Sequence, residues 1–403
     1  MSRRLLVALA LASIASACAT RRYVAVVPAA GDEVIARLRV RRVPPPEPEP
    51  LADLTCDGPG PDAVAVVDVA LGQSHACVVL ADGTARCWGS GNSGALGDGS
   101  RANTATPTRV EGVSGLRAIT TGRAHSCALD QRGRVWCWGD SGYRQLGRPI
   151  EGTSTSRAGE VDGLRDVVRL DAGSDHTCAV TRRGEVYCWG RNHDGQLGDG
   201  ARDRYERPVL VPRLRASAVA AGHTSSCAVT RDAAVACWGG INGSRTPQIV
   251  AGLPAAAVEV VVGRGSACAR LVDGAVHCWG DGSHGQLGPH ARGYAEHPVW
   301  VEGLPPARAI VAWGTHVCAT DVGGGVWCWG SDAPFDPESA SPRHRALLGV
   351  AEQAAIGDDA ACARMAAGGL CCWGDNSDGI LGAVFRAFDR PANFSEVPVP
   401  MAW

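Results

Sequence analysis

The sequence predicts an all-β protein, a seven-bladed β-propeller built from repeats of about 50 residues. The first observation is a cysteine followed ten residues later by a second cysteine that opens a Cys-Trp-Gly triplet. This arrangement occurs seven times, and successive copies begin 41 to 51 residues apart, a period typical of repeat arrays. The pairs are Cys77/Cys87, Cys127/Cys137, Cys178/Cys188, Cys227/Cys237, Cys268/Cys278, Cys318/Cys328 and Cys362/Cys372.

Each unit contains enough β-prone sequence for one blade. In the fullest copy, residues 173–198, a turn at Arg183-Gly184 separates two short β-prone runs, which predicts a hairpin. With Cys178 opposite Cys188, both sulfurs lie on one face and the Cα atoms are about 4.5–5.5 Å apart, so we expect each pair to form an intrablade disulfide. An apolar run before the hairpin and a Pro-x-x-Val run after it bring the unit to four strands, the content of one blade.

Three motifs recur in the same order through the units: Gly-x-x-His, Trp-Gly and Gly-Gln-Leu-Gly. On these motifs the chain resembles the regulator of chromosome condensation repeat family of seven-bladed propellers, over roughly residues 64–403. Histidine holds its motif position at His75, His125, His176 and His316, and is replaced by Ser225, Ser266 and Ala360. The Leu-Gly element stands at Leu96-Gly97, Leu146-Gly147, Leu197-Gly198, Leu287-Gly288 and Leu381-Gly382. The fourth and sixth units lack it, which predicts shortened or irregular outer connections there.

The paired cysteines differ from the apolar and small residues expected in nuclear members of that family, which indicates an oxidising compartment. The chain has 17 cysteines and no Cys-x-x-Cys motif, so the spacing favours disulfides over metal or redox chemistry. A formal net charge of −2 gives no long-range electrostatic reason for binding DNA or an anionic membrane.

Residues 1–18 have the features of a secretory signal: Arg3 and Arg4, an apolar run too short to span a bilayer, and a small-residue end. The end, Ala15-Ser16-Ala17-Cys18, resembles the lipobox of bacterial lipoproteins and predicts acylation of Cys18; plain secretion by cleavage nearby is the alternative. Residues 19–60 contain a proline-rich run and are predicted to be a disordered, extended tether. Residues 61–403 are predicted to be the propeller.

The recurring histidines and tryptophans have structural and functional interpretations. One histidine per blade spreads the imidazoles around a ring, whereas zinc needs ligands within about 2 Å of one point, so a structural hydrogen bond is expected rather than a metal site. The tryptophan after each second cysteine is expected to pack between blades rather than stack on a ligand. Asp98 and Asp199 are isolated loop carboxylates and weak candidates for calcium ligands. We expect no catalytic residue, metal ion or cofactor.

The ends of the chain predict how the ring closes. The first unit has no Pro-x-x-Val run ahead of residues 64–71, whereas residues 396–403 match one. Because an open ring leaves an unpaired sheet edge, the C-terminal strand is predicted to complete the first blade. Cys56 lies just ahead of the first blade and Cys371 lies in the last one, so we also predict a Cys56–Cys371 disulfide across this seam.

The long connections after Leu-Gly should emerge on the same face as the Gly-x-x-His turns, and they are rich in arginine and aromatic residues, which interface hot spots favour. The residues predicted to bind a partner are Arg101, Arg148, Arg202, Arg204, Tyr205, Arg207, Arg292, Tyr294, Phe385, Arg386, Phe388 and Arg390. Solvated loops of a passive envelope protein are the alternative for them.

The sequence therefore predicts an exported, lipid-anchored, monomeric scaffold without catalysis. We expect it at the outer membrane or cell surface, otherwise in the periplasm or secreted. Its partner is expected to be an envelope or extracellular protein or polysaccharide, not nucleic acid, with membrane contact only through the anchor. An exported hydrolase or lyase is the alternative. Guanine-nucleotide exchange, which the resemblance implies, is disfavoured by the export signal.

Overall fold

The computed structural model describes residues 64–203, 205–330, 340–345, 349–358 and 360–382, and the backbone of 394–400. The leader, the tether and Cys18 lie outside these residues. Leu54–Trp403 forms one compact unit by itself. Within the described part of the chain the regular structure is 27 β-strands and no helix, which confirms the all-β prediction.

The strands form seven four-stranded antiparallel units, one for each cysteine pair. Blade 1 contains β1 (Val66–Leu71), β2 (His75–Leu80), β3 (Ala85–Gly89) and β4 (Thr104–Arg109). Blade 2 contains β5 (Leu116–Thr121), β6 (His125–Asp130), β7 (Val135–Asp140) and β8 (Ser154–Glu160). Blade 3 contains β9 (Val167–Ala172), β10 (His176–Thr181), β11 (Glu185–Gly190) and the first half of β12 (Tyr205–Ala221).

Blade 4 contains the second half of β12, β13 (Ser225–Thr230), β14 (Val235–Gly239) and β15 (Ser244–Ile249). Blade 5 contains β16 (Ala257–Val262), β17 (Ser266–Leu271), β18 (Val276–Asp281) and β19 (Tyr294–Trp300). Blade 6 contains β20 (Ala307–Trp313), β21 (His316–Asp321), β22 (Val326–Gly330) and β23 (Arg343–Arg345). Blade 7 contains β24 (Ala351–Ile356), β25 (Ala360–Met365), β26 (Leu370–Asp375) and β27 (Phe394–Pro400).

Because β12 bends from blade 3 into blade 4, the seven blades form six hydrogen-bonded sheets. Only residues 240–243 join the third and fourth strands of blade 4, which confirms the shortened connection predicted for that unit. In blade 6 the corresponding connection lies partly outside the described residues.

The second and third strands of every blade pair in the register that the cysteine spacing predicts. Cys178 lies opposite Cys188 and Ala179 opposite Tyr187, and the other six hairpins have the same register. Each hairpin therefore places its two cysteines directly opposite each other on adjacent strands.

All seven cysteine pairs form disulfides, which confirms this prediction. The Cα–Cα distances are 4.0–4.2 Å, shorter than the about 4.5–5.5 Å expected for opposed residues in general. The cystines are fully or almost fully buried, so each one is part of the core between two blades. The bonds are Cys77–Cys87, Cys127–Cys137, Cys178–Cys188, Cys227–Cys237, Cys268–Cys278, Cys318–Cys328 and Cys362–Cys372.

Antiparallel pairing gives the propeller two different faces. The upper face carries the turns between first and second strands together with the connections between third and fourth strands, as predicted. Ser90 N donates to the Ser74 carbonyl at 2.8 Å and Arg191 N to the Asp175 carbonyl at 2.9 Å, so these two kinds of loop are in contact. The lower face carries the turns between second and third strands and the links from one blade to the next.

The C-terminal strand does not complete the first blade, so this part of the closure prediction is wrong. β27 pairs with β26 of blade 7, with Val399 opposite Cys372, and blade 1 has its own outer strand in β4. The physical reason is local pairing: the Pro-x-x-Val strand folds back on the Cys-Trp-Gly strand immediately before it. Each unit thus ends with this strand instead of beginning with it.

Blade 1 nevertheless packs directly against blade 7. Val66 N donates to the Gly368 carbonyl at 3.0 Å, and the Asp68 carboxylate accepts a bond from Gln353 Nε2 at 2.8 Å. One buried apolar cluster contains Val66 and Trp88 of blade 1 together with Leu381 of blade 7. The ring is therefore joined by packing and hydrogen bonds between complete blades.

In six of the seven blades a glycine begins the turn between first and second strands, because neighbouring turns nearly touch; blade 6 has Trp313 at this position. A Cβ atom at Gly122 would lie 2.4 Å from the carbonyl oxygen of Gly173, and one at Gly357 would lie 2.3 Å from that of Gly72. Real Cβ atoms do not approach this closely. The glycine of the Gly-x-x-His motif is therefore required by the packing around the axis.

Candidate functional site

The seven inner strands line a central channel that contains a cavity of about 520 Å³. Most lining side chains are alanine, valine, isoleucine or threonine. Three carboxylates, Asp68, Asp171 and Glu259, stand among them on blades 1, 3 and 5. Arg169, Arg270 and Gln353 also line the cavity, and Arg270 pairs with Glu259 at 2.8 Å.

Each of the three channel carboxylates binds the backbone of the next blade. Asp68 accepts from Ile119 N at 2.8 Å, Asp171 from Ala221 N at 2.8 Å, and Glu259 from Ile310 N at 3.3 Å. Burial raises the pKa of Asp68 and Glu259, and it raises the pKa of Asp171 to about 6. Because their oxygens are engaged in blade-to-blade bonds, these carboxylates serve the ring structure.

The upper mouth of the channel is formed by the residues that follow the turn glycines. Backbone hydrogen bonds link successive turns: Arg123 N to the Ser174 carbonyl at 3.1 Å, His223 N to the Gly263 carbonyl at 3.4 Å and Arg264 N to the Gly314 carbonyl at 2.6 Å. The residue four positions before the first cysteine varies between blades. It is Gln73, Arg123, Ser174, His223, Arg264, Gly314 and Asp358 in blades 1 to 7.

The side chains of the mouth are partly engaged with each other. Asp175, which is buried, holds Arg123 at 2.9 Å and Arg191 at 3.6 Å. Ser174 Oγ and His223 Nδ1 are 2.8 Å apart. Burial lowers the pKa of His223, and Arg264 and Arg191 lower it further by charge repulsion. The blade 2 to blade 5 side of the mouth is therefore rich in positive charge.

A pocket of about 180 Å³ lies inside this mouth. Arg264 borders it with an exposed guanidinium that has no carboxylate within ion-pair distance among the described residues. Across the pocket, Trp313 Nε1 donates to Asp358 Oδ1 at 2.6 Å and presents the indole ring. We name this arrangement of Arg123, His223, Arg264 and Trp313 the mouth pocket. It can bind an acidic group next to an apolar or planar one.

The disulfide cysteines are structural residues and take no part in the mouth pocket. Cys87, Cys237 and Cys278, the second cysteines of blades 1, 4 and 5, are at most 1% exposed and border neither the channel cavity nor the mouth pocket. Cys318 borders the channel cavity, where it is bonded to Cys328. A sulfur in a disulfide is neither a nucleophile nor a metal ligand, so these positions contribute stability instead of chemistry.

The recurring histidines are structural, as predicted. His75 Nε2 bonds Ser126 Oγ at 2.8 Å, and His125 and His176 make the equivalent bonds to Thr177 and Ser226 of the next blades. Burial lowers the pKa of His75 to about 4 and the pKa values of His125 and His176 to about 3. These imidazoles are neutral near pH 7.

The recurring tryptophans are also structural, as predicted. Trp138 Nε1 donates to the Ala95 carbonyl at 2.8 Å, and Trp189 Nε1 donates to the Gln145 carbonyl at 2.9 Å. The accepting residue precedes the Leu-Gly pair of the preceding blade. The Gly-Gln-Leu-Gly element therefore serves as the acceptor for the next blade's indole.

The isolated loop carboxylates cap turns. Asp98 accepts a bond from Ser100 N at 2.9 Å, and Asp199 accepts from Ala201 N at 3.1 Å. No group of three or more His, Cys, Asp or Glu side chains suited to a metal ion occurs within the described ranges. Those ranges also contain no helix long and apolar enough to cross a membrane.

The residues predicted to bind a partner are spread over the outer rim of several blades. Arg101 donates to the Ser154 carbonyl at 3.3 Å and Tyr294 to the Ile241 carbonyl at 3.0 Å, so both contact a neighbouring blade. Arg148 is half-buried, and its guanidinium lies 3.4 Å from the Cys137 and Arg157 carbonyls. Arg202, Arg207 and Arg292 are exposed and Tyr205 is half-exposed. Arg204, Phe385, Arg386, Phe388 and Arg390 lie outside the described residues.

Cys371 is disulfide-bonded, but Cys56 lies outside the described residues, so their pairing stays a prediction. The predicted position of Cys371 at the seam with blade 1 is wrong. Cys371 is buried in the cluster that contains Cys318 and Cys328 of blade 6, because its side chain points to the opposite face of the sheet from Cys372. The seam with blade 1 is on the other side of blade 7.

Sequence reasoning did not single out the mouth pocket. Arg123, His223, Arg264 and Trp313 come from three different residue types and four blades. The available signal was positional: Arg123, His223 and Arg264 directly follow the turn glycine of their blades, and Trp313 replaces that glycine in blade 6. A position that varies within an otherwise repeated motif marks a surface that differs from blade to blade.

These features define a class of protein: a seven-bladed β-propeller with one disulfide in each blade and a polar pocket at one end of its channel. The chain belongs to the regulator of chromosome condensation (RCC1) repeat family. Two models of this repeat match it, one at residues 66–95, 117–145, 167–196 and 257–286, and the other at residues 82–129, 132–180 and 183–229.

Two proteins with similar sequences each match part of the chain. Human E3 ubiquitin-protein ligase HERC2 is 35% identical over 159 residues, which is 38% of this chain and 3% of HERC2. The ultraviolet-B receptor UVR8 of Arabidopsis thaliana is 29% identical over 165 residues, 39% of this chain and 37% of UVR8. The chain thus spans a small fraction of HERC2 and little more than a third of UVR8.

Solved structures show the same fold. Prp20p of Saccharomyces cerevisiae has a TM-score of 0.68 at 18% identity, covering 84% of this chain and 88% of Prp20p. The ectodomain of the Arabidopsis receptor kinase ACR4 has a TM-score of 0.50 at 20% identity, covering 77% of this chain and 95% of that domain. At these identities the likeness concerns the fold alone.

Proposed function

We propose that this chain is an exported, lipid-anchored propeller that binds an acidic segment of a protein partner in the mouth pocket. The observation that carries this proposal is Arg264, an exposed guanidinium that borders a pocket and lacks an ion-pair partner among the described residues. His223 supplies a second polar group and Trp313 a flat apolar wall. Arginine and tryptophan are the residue types that dominate interface binding energies.

Two further observations support the proposal. Seven buried disulfides suit a protein that matures in an oxidising compartment, as the export signal predicts. A protein of the same fold also binds proteins: yeast Prp20p has binding properties toward Gsp1p and histones, and its structure has been determined in complex with Kap60. An envelope polysaccharide is the other partner class that the sequence predicts, and the mouth pocket favours it less because it presents a single aromatic side chain.

Partner capture from envelope extract tests the site. Arg264→Ala and His223→Ala should each reduce capture at least tenfold, whereas Arg132→Ala, a matched exposed arginine on the lower face, should leave it unchanged. A rim variant distinguishes binding in the mouth pocket from binding at the outer rim. It carries Arg204→Ala, Tyr205→Ala, Arg292→Ala and Tyr294→Ala. Loss of capture in the rim variant together with full capture by Arg264→Ala would move the site to the rim.

Lipid anchoring is tested separately by intact mass and metabolic labelling with a fatty-acid analogue. We expect label on the wild-type protein and none on Cys18→Ser. An unlabelled protein processed near residue 18 would establish plain secretion and would leave the mouth pocket unaffected.

An exported hydrolase is the second candidate, and one observation favours it. Ser174 Oγ and His223 Nδ1 are within hydrogen-bond distance at 2.8 Å, as a nucleophile and its base would be. Against it, Ser174 is buried, and among the described residues no carboxylate bonds the other imidazole nitrogen to orient the ring. A fluorophosphonate probe that labels wild type but not Ser174→Ala would favour the hydrolase.

A further inference from the structure

Arginine is concentrated on the lower face of blades 2 to 4. We name the following exposed residues the arginine cluster: Arg117, Arg169, Arg182, Arg183, Arg213 and Arg231. Within the described part of the chain, none of the six has a carboxylate within ion-pair distance. Three acidic residues, Asp162, Asp166 and Asp232, are also exposed on this part of the face, so its net charge is positive although the formal net charge of the chain is −2.

The cluster is continuous from blade to blade. Arg117 Nη2 of blade 2 donates to the Val167 carbonyl of blade 3 at 3.1 Å, and Arg231 Nη2 of blade 4 donates to the Arg182 carbonyl of blade 3 at 3.3 Å. Burial lowers the pKa of Arg117, and the charges of Arg169 and Arg182 lower it further. The guanidinium groups thus repel each other, and an anion placed over them would relieve that repulsion.

The remaining lower face carries exposed aliphatic side chains, together with the exposed carboxylates Asp82 and Asp273 in the turns of blades 1 and 5. Val272 of blade 5 and Val322 of blade 6 are 68% and 70% exposed. They occupy the turn position that carries Arg182 in blade 3 and Arg231 in blade 4, directly after the second strand. The other exposed valines of this face are Val64, Val67, Val258 and Val350. One face therefore combines unpaired arginines with exposed aliphatic side chains.

The chain enters the propeller on this same face. Ala81 N, in a lower-face turn, donates to the Ala65 carbonyl at 2.9 Å, immediately before β1. The lipid anchor at Cys18, which belongs to the proposed function, would keep the propeller close to a membrane. Basic and apolar groups on one surface are the combination that binds anionic membrane interfaces.

We propose that the lower face docks on anionic phospholipid headgroups, with the arginine cluster on the phosphates and the exposed valines in the interfacial layer. This contact goes beyond the anchor, which was the only membrane contact expected from the sequence. It orients the propeller with the mouth pocket facing away from the bilayer. The tether and the docked face would then act together, since the second contact is intramolecular once the first is made.

Vesicle sedimentation tests the docking surface without the acyl chain. The full chain carrying Cys18→Ala should bind phosphatidylcholine vesicles with about 30% phosphatidylglycerol at least tenfold better than pure phosphatidylcholine vesicles, and the binding should weaken with added salt. Adding Arg182→Glu, Arg183→Glu and Arg231→Glu should remove this preference. The matched control Arg202→Glu, Arg207→Glu, Arg292→Glu makes the same charge change on the outer rim and should retain it. Val272→Ser with Val322→Ser should weaken binding severalfold without changing charge.

Several outcomes would overturn the proposal: equal binding to both vesicle types, an equal loss in both triple variants, or binding to a soluble polyanion such as heparin with none to vesicles. Full competition by millimolar inorganic phosphate would assign the cluster to free phosphate instead of a headgroup. The experiments distinguish a failure of membrane docking from a failure of partner binding in the mouth pocket. The lower-face triple variant should keep its protein partner, and Arg264→Ala should keep vesicle binding.

Discussion

Trp88 Nε1 donates a hydrogen bond to the carbonyl oxygen of Ile380 at 2.7 Å, across 292 residues of sequence. The same bond joins Trp138 to Ala95 and Trp189 to Gln145 at internal seams. The contact between the first and last blades therefore repeats the chemistry of the contacts between consecutive blades. Ring closure requires no exchanged strand.

Removing this hydrogen bond should lower the free energy of unfolding by the same amount at the closing seam as at an internal seam. Trp88→Phe removes the indole donor from the Ile380 carbonyl, and Trp329→Phe removes it from the Gln286 carbonyl at an internal seam, each at about 1–3 kcal/mol. Trp138 is not a matched residue, because the Ala95 carbonyl also accepts a bond from Ser126 Oγ. Denaturant unfolding of Trp88→Phe and Trp329→Phe should give equal losses within error. A negligible loss for Trp88→Phe beside a large one for Trp329→Phe would show that blades 1 and 7 are not packed in solution.

The turn glycines predict a steric effect at the axis. Gly122→Ala would place a Cβ atom 2.4 Å from the Gly173 carbonyl oxygen and should destabilise the fold by about 1–3 kcal/mol. Gly142→Ala is the control, because a Cβ atom there would meet only Asp140 side-chain atoms, at 3.6 Å or more. The control should change stability by less than about 0.5 kcal/mol. Equal thermal melts for the two variants would contradict the close packing of the turns.

The buried histidines predict acid sensitivity. A pKa of about 3 for His125 in the folded state lies below the ordinary 6.5, so its stabilisation is present above pH 6.5 and is lost as pH falls toward 3. Each such histidine contributes a slope of about 1.4 kcal/mol per pH unit. His125→Ser, which copies Ser225 at the equivalent position, should reduce the loss between pH 7 and pH 4.5 by about 2.5 kcal/mol.

Comparing His125→Ser with the wild type separates the pH effect of one histidine from that of the channel carboxylates. The raised pKa values of Asp68, Asp171 and Glu259 act in the opposite direction, because stability from a raised carboxyl pKa is lost as pH rises through the folded value. An unchanged pH profile in His125→Ser would mean that His125 is already charged or solvated in the folded protein.

The position of Cys371 determines which part of the propeller the predicted Cys56–Cys371 disulfide would bind. Cys371 lies between blades 6 and 7, so the bond would fasten the chain ahead of Val64 to this side of blade 7 and not to the seam with blade 1. Peptide mapping of unreduced protein should yield a fragment that joins both cysteines. Cys56→Ser should then leave one free thiol, at Cys371, and a free thiol count unchanged from wild type would contradict the pairing.

Local sequence predicted the parts of the fold that depend on local pairing. The ten-residue cysteine spacing fixes the register of a two-strand hairpin, because opposed residues in adjacent strands are set by the turn between them. The interpretation of Trp138 and His125 as structural followed from their regular recurrence. Both are engaged with neighbouring blades, as that recurrence required.

The arrangement between units was harder to predict. A strand between two hairpins can pair with either one, so the sequence did not decide whether Pro107 belongs to the unit before or after it; it pairs within β4 of blade 1. The arginine cluster was hidden for a similar reason. Net charge averages over both faces, whereas Arg117 and Arg182 meet only when blades 2 and 3 are side by side.

The central claim is that the mouth pocket binds a protein partner after export. A photo-crosslinking amino acid at position 264, in protein exported by its native host, tests this most directly, with the same probe at position 132 as the control. We expect a discrete protein adduct from position 264 that is absent at position 132 and reduced by His223→Ala. Adducts of equal yield from both positions, or none from position 264, would contradict the claim.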